Sequence, residues 1–306
     1  MHFDNLLAEV MPPTPTRVAV AAAEDDVVLR AAVEAYQRKL AEPILCGRRE
    51  AILQIAEQAR LDISFLEIVD ADLDNSAKAA VSLVREGRAS MLMKGLLQTA
   101  DLLRAVLDKE KGLHTKGNLL SHVSIFHSPL LQRKLLLTDA AVVTYPDLTT
   151  KVKMIHNAVK AAKGIGISHP KVAALAPVEV INSEMQSSVD AAVLTIMNRR
   201  GQIKGCTIDG PLAMDLALSS EAAKHKEVES PVAGCADILL LHNIDVANCV
   251  IKTFTVAGNC LLGGVLMGAN APIVLTSRSD SDQSKLYSIA CAASIAILDL
   301  IDNKQA

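Results

Sequence analysis

RVAVAAAEDDVVLRAAVEAYQRKL, residues 17–40, decides the fold. After its first residue, the stretch Arg17 to Ala23 is an apolar run with no polar alternation, the pattern of a strand covered on both faces. From Asp25 to Leu40 the apolar positions recur at helical spacing, which predicts an amphipathic helix. A strand hidden on both faces needs helices above and below it, so one strand and one helix already point to an α/β protein built on a parallel sheet.

The same rhythm continues outward. Apolar runs at Pro43 to Cys46, Phe65 to Val69 and Ser90 to Met93 alternate with helical stretches around Ala51 to Ala59 and Ala77 to Glu86. Between Lys109 and Ser128 the chain turns polar, with Lys109, Lys111, His114, Lys116, His122 and His127 close together, and reads as a loop. Strand-like runs resume at Lys134 to Leu137, Val172 to Leu175, Ile203 to Ile208 and Ile238 to Leu241, then pair at Leu261 to Met267 and Ile273 to Thr276. Helices are expected at Leu148 to Lys163, Met185 to Asn198, Met214 to His225, Asn248 to Val256 and Asp282 to Asp302. No repeat, low-complexity tract or Pro-rich linker interrupts the chain, and the length suits two compact domains, with a boundary expected near Leu135.

Composition narrows the class. Half of the 306 residues are apolar, yet only 3 Tyr and 4 Phe are present and Trp is absent, so the interior must be aliphatic. A net charge of -3 gives no global basic field for nucleic acid, and any anion must be held locally. No window reaches the roughly 18 to 20 uninterrupted apolar residues of a membrane helix, so a soluble protein is expected. Cys46, Cys206, Cys235, Cys249, Cys260 and Cys291 form no CxxC pair, and no His cluster has metal-ligand spacing, so buried free thiols and no metal are expected. The start, Met1-His2-Phe3-Asp4, lacks the features of a secretory signal, and a reducing cytoplasm fits both facts.

In an open parallel sheet, ligands bind beyond the carboxyl ends of the strands. Four such exits carry chemistry: Met93-Lys94-Gly95, Asp209-Gly210-Pro211, Asn243 with Asp245 and Asn248, and Ser277-Arg278-Ser279-Asp280. The last outlines an anion site, because a guanidinium fork stands just before the start of the final helix, whose unpaired N–H groups favour a phosphate. Ser281 or Asp282 reads equally as the cap of that helix. Lys94 reads as a ligand contact or a surface lysine, Asp209 as a site carboxylate or a turn residue, and Lys252 as a neighbour of Asn248 or a solvated lysine.

The order and wording of these exits resemble the phosphate acetyl/butyryltransferase family. The matching stretches are Met93-Lys94-Gly95, LLSHVSIF (119–126), Leu137-Thr138-Asp139-Ala140, Lys171 to Leu175 with Val178-Glu179, and Asp209 to Ala213 with Asp215. They continue with Val232-Ala233-Gly234, Ala236 to Leu239, Asn248 with Lys252, and APIVLTSR (271–278). The short amino terminus is closer to the butyryl-type members. Two positions depart from the family pattern: His242 stands where a proline is usual, and Ala247 where a glycine is usual.

The resemblance implies a two-domain α/β fold like the isocitrate and isopropylmalate dehydrogenases, with parallel-rich sheets flanked by helices and a cleft between the domains. It divides the chain into 1–135 plus 277–306 and 136–276, and implies a homodimer. The implied reaction is acyl-CoA plus phosphate giving acyl phosphate plus CoA, with coenzyme A as substrate, no cofactor and no metal. Arg278 is assigned to the phosphate and developing charge, Ser277 to the carbonyl oxygen, and Asp280 or Asp282 to the base that deprotonates the CoA thiol, whose free pKa is about 8.5. Lys94, Gly95, Asp209, Asn243, Asn248 and Lys252 are assigned to binding CoA or phosphate. The alternatives are a metal- and NAD(P)-dependent decarboxylating dehydrogenase of the same fold, and a silent binder of CoA or acyl phosphate.

Overall fold

The computed structural model describes residues 3–276 and 280–305. The chain divides into two compact units, one formed by the stretch up to Asn118 together with that from Leu262 onward, the other by Leu119–Leu261. The divide expected near residue 135 therefore falls earlier, and the return expected at 277 also falls earlier.

The chain opens with α1 (Phe3–Ala8), β1 (Thr16–Ala21), α2 (Asp26–Gln37), β2 (Ala41–Gly47), α3 (Arg49–Gln58), β3 (Glu67–Asp70), α4 (Leu73–Arg85), β4 (Met91–Lys94) and α5 (Thr99–Val106). The second unit follows as β5 (Ser121–Ser128), β6 (Arg133–Thr138), α6 (Leu148–Gly164), β7 (Lys171–Leu175), α7 (Gln186–Arg199), β8 (Thr207–Leu212), α8 (Met214–Leu218), α9 (Ser220–His225), β9 (Ile238–Leu240) and α10 (Ile244–Val256). The chain then returns through β10 (Leu261–Met267), β11 (Ile273–Val274) and α11 (Asp282–Gln305).

In the first unit the strand order is β3-β2-β1-β4-β11-β10, parallel from β3 to β11, with β10 antiparallel to β11. The deciding stretch behaves as its pattern requires: Val18 to Ala23 are fully buried, and Asp25 caps α2 by accepting from the Val28 amide at 2.9 Å. Over Asp282–Ile301 α11 is long and apolar enough to cross a membrane, with a mean hydropathy of 1.6, but 67% of its most apolar window is buried in the protein. It packs against α2, and its small residues Ala290, Ala292 and Ala293 lie in the core.

In the second unit the order is β5-β6-β9-β7-β8, parallel from β6 onward. Three expectations are corrected here. The segment expected to be loop up to Ser128 holds β5, every residue of which is buried and which pairs antiparallel with β6. Its serines and histidines hid it, and because it is one arm of a hairpin with β6 it belongs to the second unit. The strand expected at Ile203 to Ile208 starts only at Thr207, because Gly205 turns the chain just before it at a φ of +79°. The helix expected at Met214 to His225 is two short helices separated by Ser219, which is extended and whose hydroxyl caps the second by accepting from Ala222 N. The thiols are also less uniform than expected: Cys46, Cys206 and Cys291 are buried, but Cys249 is exposed and Cys235 and Cys260 are half-buried.

Candidate active site

Parallel β1, β2, β4 and β11 end on one edge of the first unit, and that edge carries Lys94 and Gly95. Gly95 is there because nothing larger fits: its amide donates to Ala21 O at 2.8 Å, and a Cβ would stand 2.2 Å from Ala22 O. The carbonyls of Ala21 and Ala22 thus hold the chain down as it leaves β4. Lys94 is only 5% exposed, and its Nζ donates to the carbonyls of Gly95 and Leu97 at 3.2 and 3.3 Å. The surface-lysine reading is therefore excluded. Glu24, also 5% exposed, sits after β1 and accepts from Arg48 N at 2.9 Å, capping α3.

Val274 of β11 pairs with Met93, so the segment after β11 leaves the sheet beside Lys94. Ser277 and Arg278 lie outside the described residues. Beyond them, Ser281 is the cap of α11, its hydroxyl accepting from the Ser284 amide at 3.2 Å. Asp280 and Asp282 flank that cap and are half-buried. Lys285, 5% exposed, donates to Asp280 O at 2.8 Å, and Asp282 Oδ1 accepts from Gln283 N.

The remaining four predicted residues belong to the second unit. Asn243 is the cap of α10, accepting from Val246 N at 3.1 Å, so that helix begins at Ile244 and not at Asn248. Asn248, within it, donates to Ala140 O at 3.2 Å and ties α10 to the loop after β6. Lys252, one turn further on, is exposed. Asp209 lies inside β8 and not at its exit, 3.6 Å from Arg199, and the following Gly210 accommodates Ala174 O, which a Cβ would approach to 2.5 Å.

Two arrangements on this unit, each built on a buried charged residue, escaped the sequence reading. Asp139, 2% exposed after β6, accepts from His122 N at 2.6 Å and from Ala141 N and Val142 N at 2.7 and 2.9 Å. At the end of β9, Lys151 of α6 places its Nζ 2.6 Å from Asp190 Oδ2 and 3.1 Å from His242 Nδ1. Gln186 completes the group by donating to Asp190 Oδ1 at 2.8 Å. Burial holds the His242 ring below the usual histidine range, as does the charge on Lys151, against a smaller opposing effect of Asp190. Nothing in the spacing of residues 151, 190 and 242 announces this group. The departure at His242 was its one visible trace.

Comparison with known proteins finds relatives along nearly the whole chain. A family model described as Phosphate acetyl/butaryl transferase matches residues 2–79 and 71–293. The chain is 51% identical to a phosphate butyryltransferase of Clostridium beijerinckii, over 96% of this chain and 98% of that one. It is 40% identical to a phosphate acetyltransferase of Thermotoga maritima, over 96% and 100%. Among solved structures, a branched-chain phosphotransacylase from Enterococcus faecalis superposes with a TM-score of 0.81 at 34% identity, over 92% of this chain and 99% of that one.

Proposed function

The chain belongs to the phosphate acetyl/butyryltransferase family, and from that membership we propose that it transfers a short acyl group between coenzyme A and inorganic phosphate. It is an acyltransferase: acyl-CoA and phosphate are exchanged for acyl phosphate and CoA. The observation that carries the reading is near-complete coverage at 51% identity with a phosphate butyryltransferase. The higher identity to that relative than to the acetyltransferase, 51% against 40%, supports a butyryl-sized group over acetyl. The dehydrogenase alternative has no such support.

In this reading catalysis is positioning and charge neutralisation, with no metal, no further cofactor and no covalent enzyme intermediate. Arg278 neutralises phosphate and the charge that develops on it, and Ser277 donates to the carbonyl oxygen as it becomes tetrahedral. Asp280 or Asp282 removes the thiol proton of CoA, the two carboxylates lying on either side of the Ser281 cap. Lys94 and Gly95 shape the neighbouring strand exit, while Asp209, Asn243, Asn248 and Lys252 serve CoA or phosphate on the second unit. The isocitrate and isopropylmalate dehydrogenase-like arrangement with its cleft, the homodimer and the cytoplasmic location belong to the same proposal and draw on the family resemblance.

The test is phosphate-dependent release of free thiol from acetyl-, propionyl-, butyryl- and isobutyryl-CoA, with chelator and without nicotinamide cofactor. Fastest release from a four-carbon substrate is expected. Release with none of them, alongside thermal stabilisation by CoA, would instead identify a silent binder.

A further inference from the structure

The group at the end of β9 has a consequence for ligand recognition. The Lys151 ammonium has protons to give and no lone pair, so His242 Nδ1, 3.1 Å away, must be the acceptor. In a neutral imidazole the proton then sits on Nε2. Protonating Nδ1 would set an N–H against an ammonium, and burial opposes the charged ring as well. Lys151 is held in place by Asp190, and Asp190 by the exposed Gln186, so the tautomer is set by a buried ion pair. Of the other ionisable residues that line the same cavity, Asp147 accepts from Thr150 N at 2.7 Å and Tyr145 donates to Asp245 at 2.6 Å.

His242 lines a cavity of about 480 Å³ within the second unit, together with Gln186, Asn243, Pro146, Leu148 and Val193. Among the described residues lining the cavity there is no Lys or Arg but there are Asp147 and Asp190, and the adjoining Lys151 ammonium is paired with Asp190, so the cavity offers no free cation to a phosphate. It offers apolar walls, amides and one fixed donor. We propose that this cavity takes the neutral, amide-bearing arm of coenzyme A, with His242 Nε2–H donating to one of its carbonyls and Lys151 and Asp190 acting as positioning residues. This rests on the reading of the chain as an acyl-CoA enzyme. It adds a recognition residue that the family pattern does not carry at this position.

Titration calorimetry with CoA, pantetheine and inorganic phosphate tests the proposal without requiring turnover. His242→Ala should weaken CoA and pantetheine about tenfold, the loss of one hydrogen bond, and leave phosphate unchanged. His242→Gln, which carries an N–H at similar reach, should restore most of the affinity. CoA binding indifferent to His242→Ala, or a loss confined to phosphate, would overturn this inference alone. A wild-type protein that binds no CoA and releases no thiol overturns the acyl-CoA reading with it. Nitrogen-15 spectra of the imidazole should show the Nε2–H tautomer, and Lys151→Met, which removes one of the two effects that lower the ring, should move its titration upward from that of the parent while burial continues to hold it down. If Lys151→Met does not fold, the wild-type spectrum decides: an Nδ1–H tautomer sinks the assignment.

Discussion

Lys151 and Asp190 form a 2.6 Å ion pair between α6 and α7, with side chains only 3% and 10% exposed. Both charges have left water, so each depends on the other and on Gln186 and His242 for compensation. Lys151→Met or Asp190→Leu alone should cost about 3–5 kcal/mol, because each leaves its partner charged and buried. The double variant should regain most of that loss, since an apolar pair of similar volume is often neutral there. Urea denaturation of the four proteins gives the coupling, and simple additivity of the two losses would contradict a compensated pair.

A methyl group at position 95 has nowhere to go, since it would meet Ala22 O at 2.2 Å and Ala21 O at 2.6 Å, both backbone atoms. Gly95→Ala should therefore lower stability by about 2–3 kcal/mol and disturb the loop whose carbonyls hold Lys94. Thermal unfolding checks the first effect. A variant as stable as the parent would mean that β1 and the loop after β4 are not packed this closely.

Arg278→Ala should reduce turnover by on the order of 100-fold or more if the guanidinium stabilises developing charge. Asp280→Asn and Asp282→Asn separate the two candidate bases. The true base should lose most of its turnover and recover part of it as rising pH ionises the CoA thiol on its own. Equal, small losses from both substitutions would remove the carboxylates from the mechanism.

Thiol reactivity should follow burial. Burial, with the charge of Glu67, pushes the Cys46 thiol up to about 12, and burial pushes Cys206 up to about 11, so neither carries appreciable thiolate near neutral pH. Cys249 is exposed. An aromatic disulfide reagent should therefore label Cys249 in a fast phase that Cys249→Ser abolishes, while Cys46 and Cys206 react only in denaturant. Rapid native labelling of Cys46 would contradict its place in the core.

Much of the fold was legible because its strands are hidden on both faces and therefore written as unbroken apolar runs, as at Val18 to Ala23. The expectation failed where burial was achieved by other means. Every residue of β5 is buried although serines and histidines recur along it, since a strand satisfies its backbone through pairing with β6 whatever its side chains are. Asp209 was placed at a strand exit because the apolar run stopped before it, yet the ladder with β7 carries on to Leu212. The strand exits themselves were readable, as Lys94 and Gly95 follow directly from the end of an apolar run.

The sequence by itself determined the class of fold and the family, because periodicity and ordered motifs are local properties that survive without coordinates. Only the tertiary structure decided that Lys94 is a buried ammonium bound to carbonyls, that Asn243 is a helix cap, and that Lys151, Asp190 and His242 meet. The physical reason is that protonation, tautomer and hydrogen-bond partner are set by atoms within about 3 Å, and residues 151, 190 and 242 come that close only after α6, α7 and β9 have packed together.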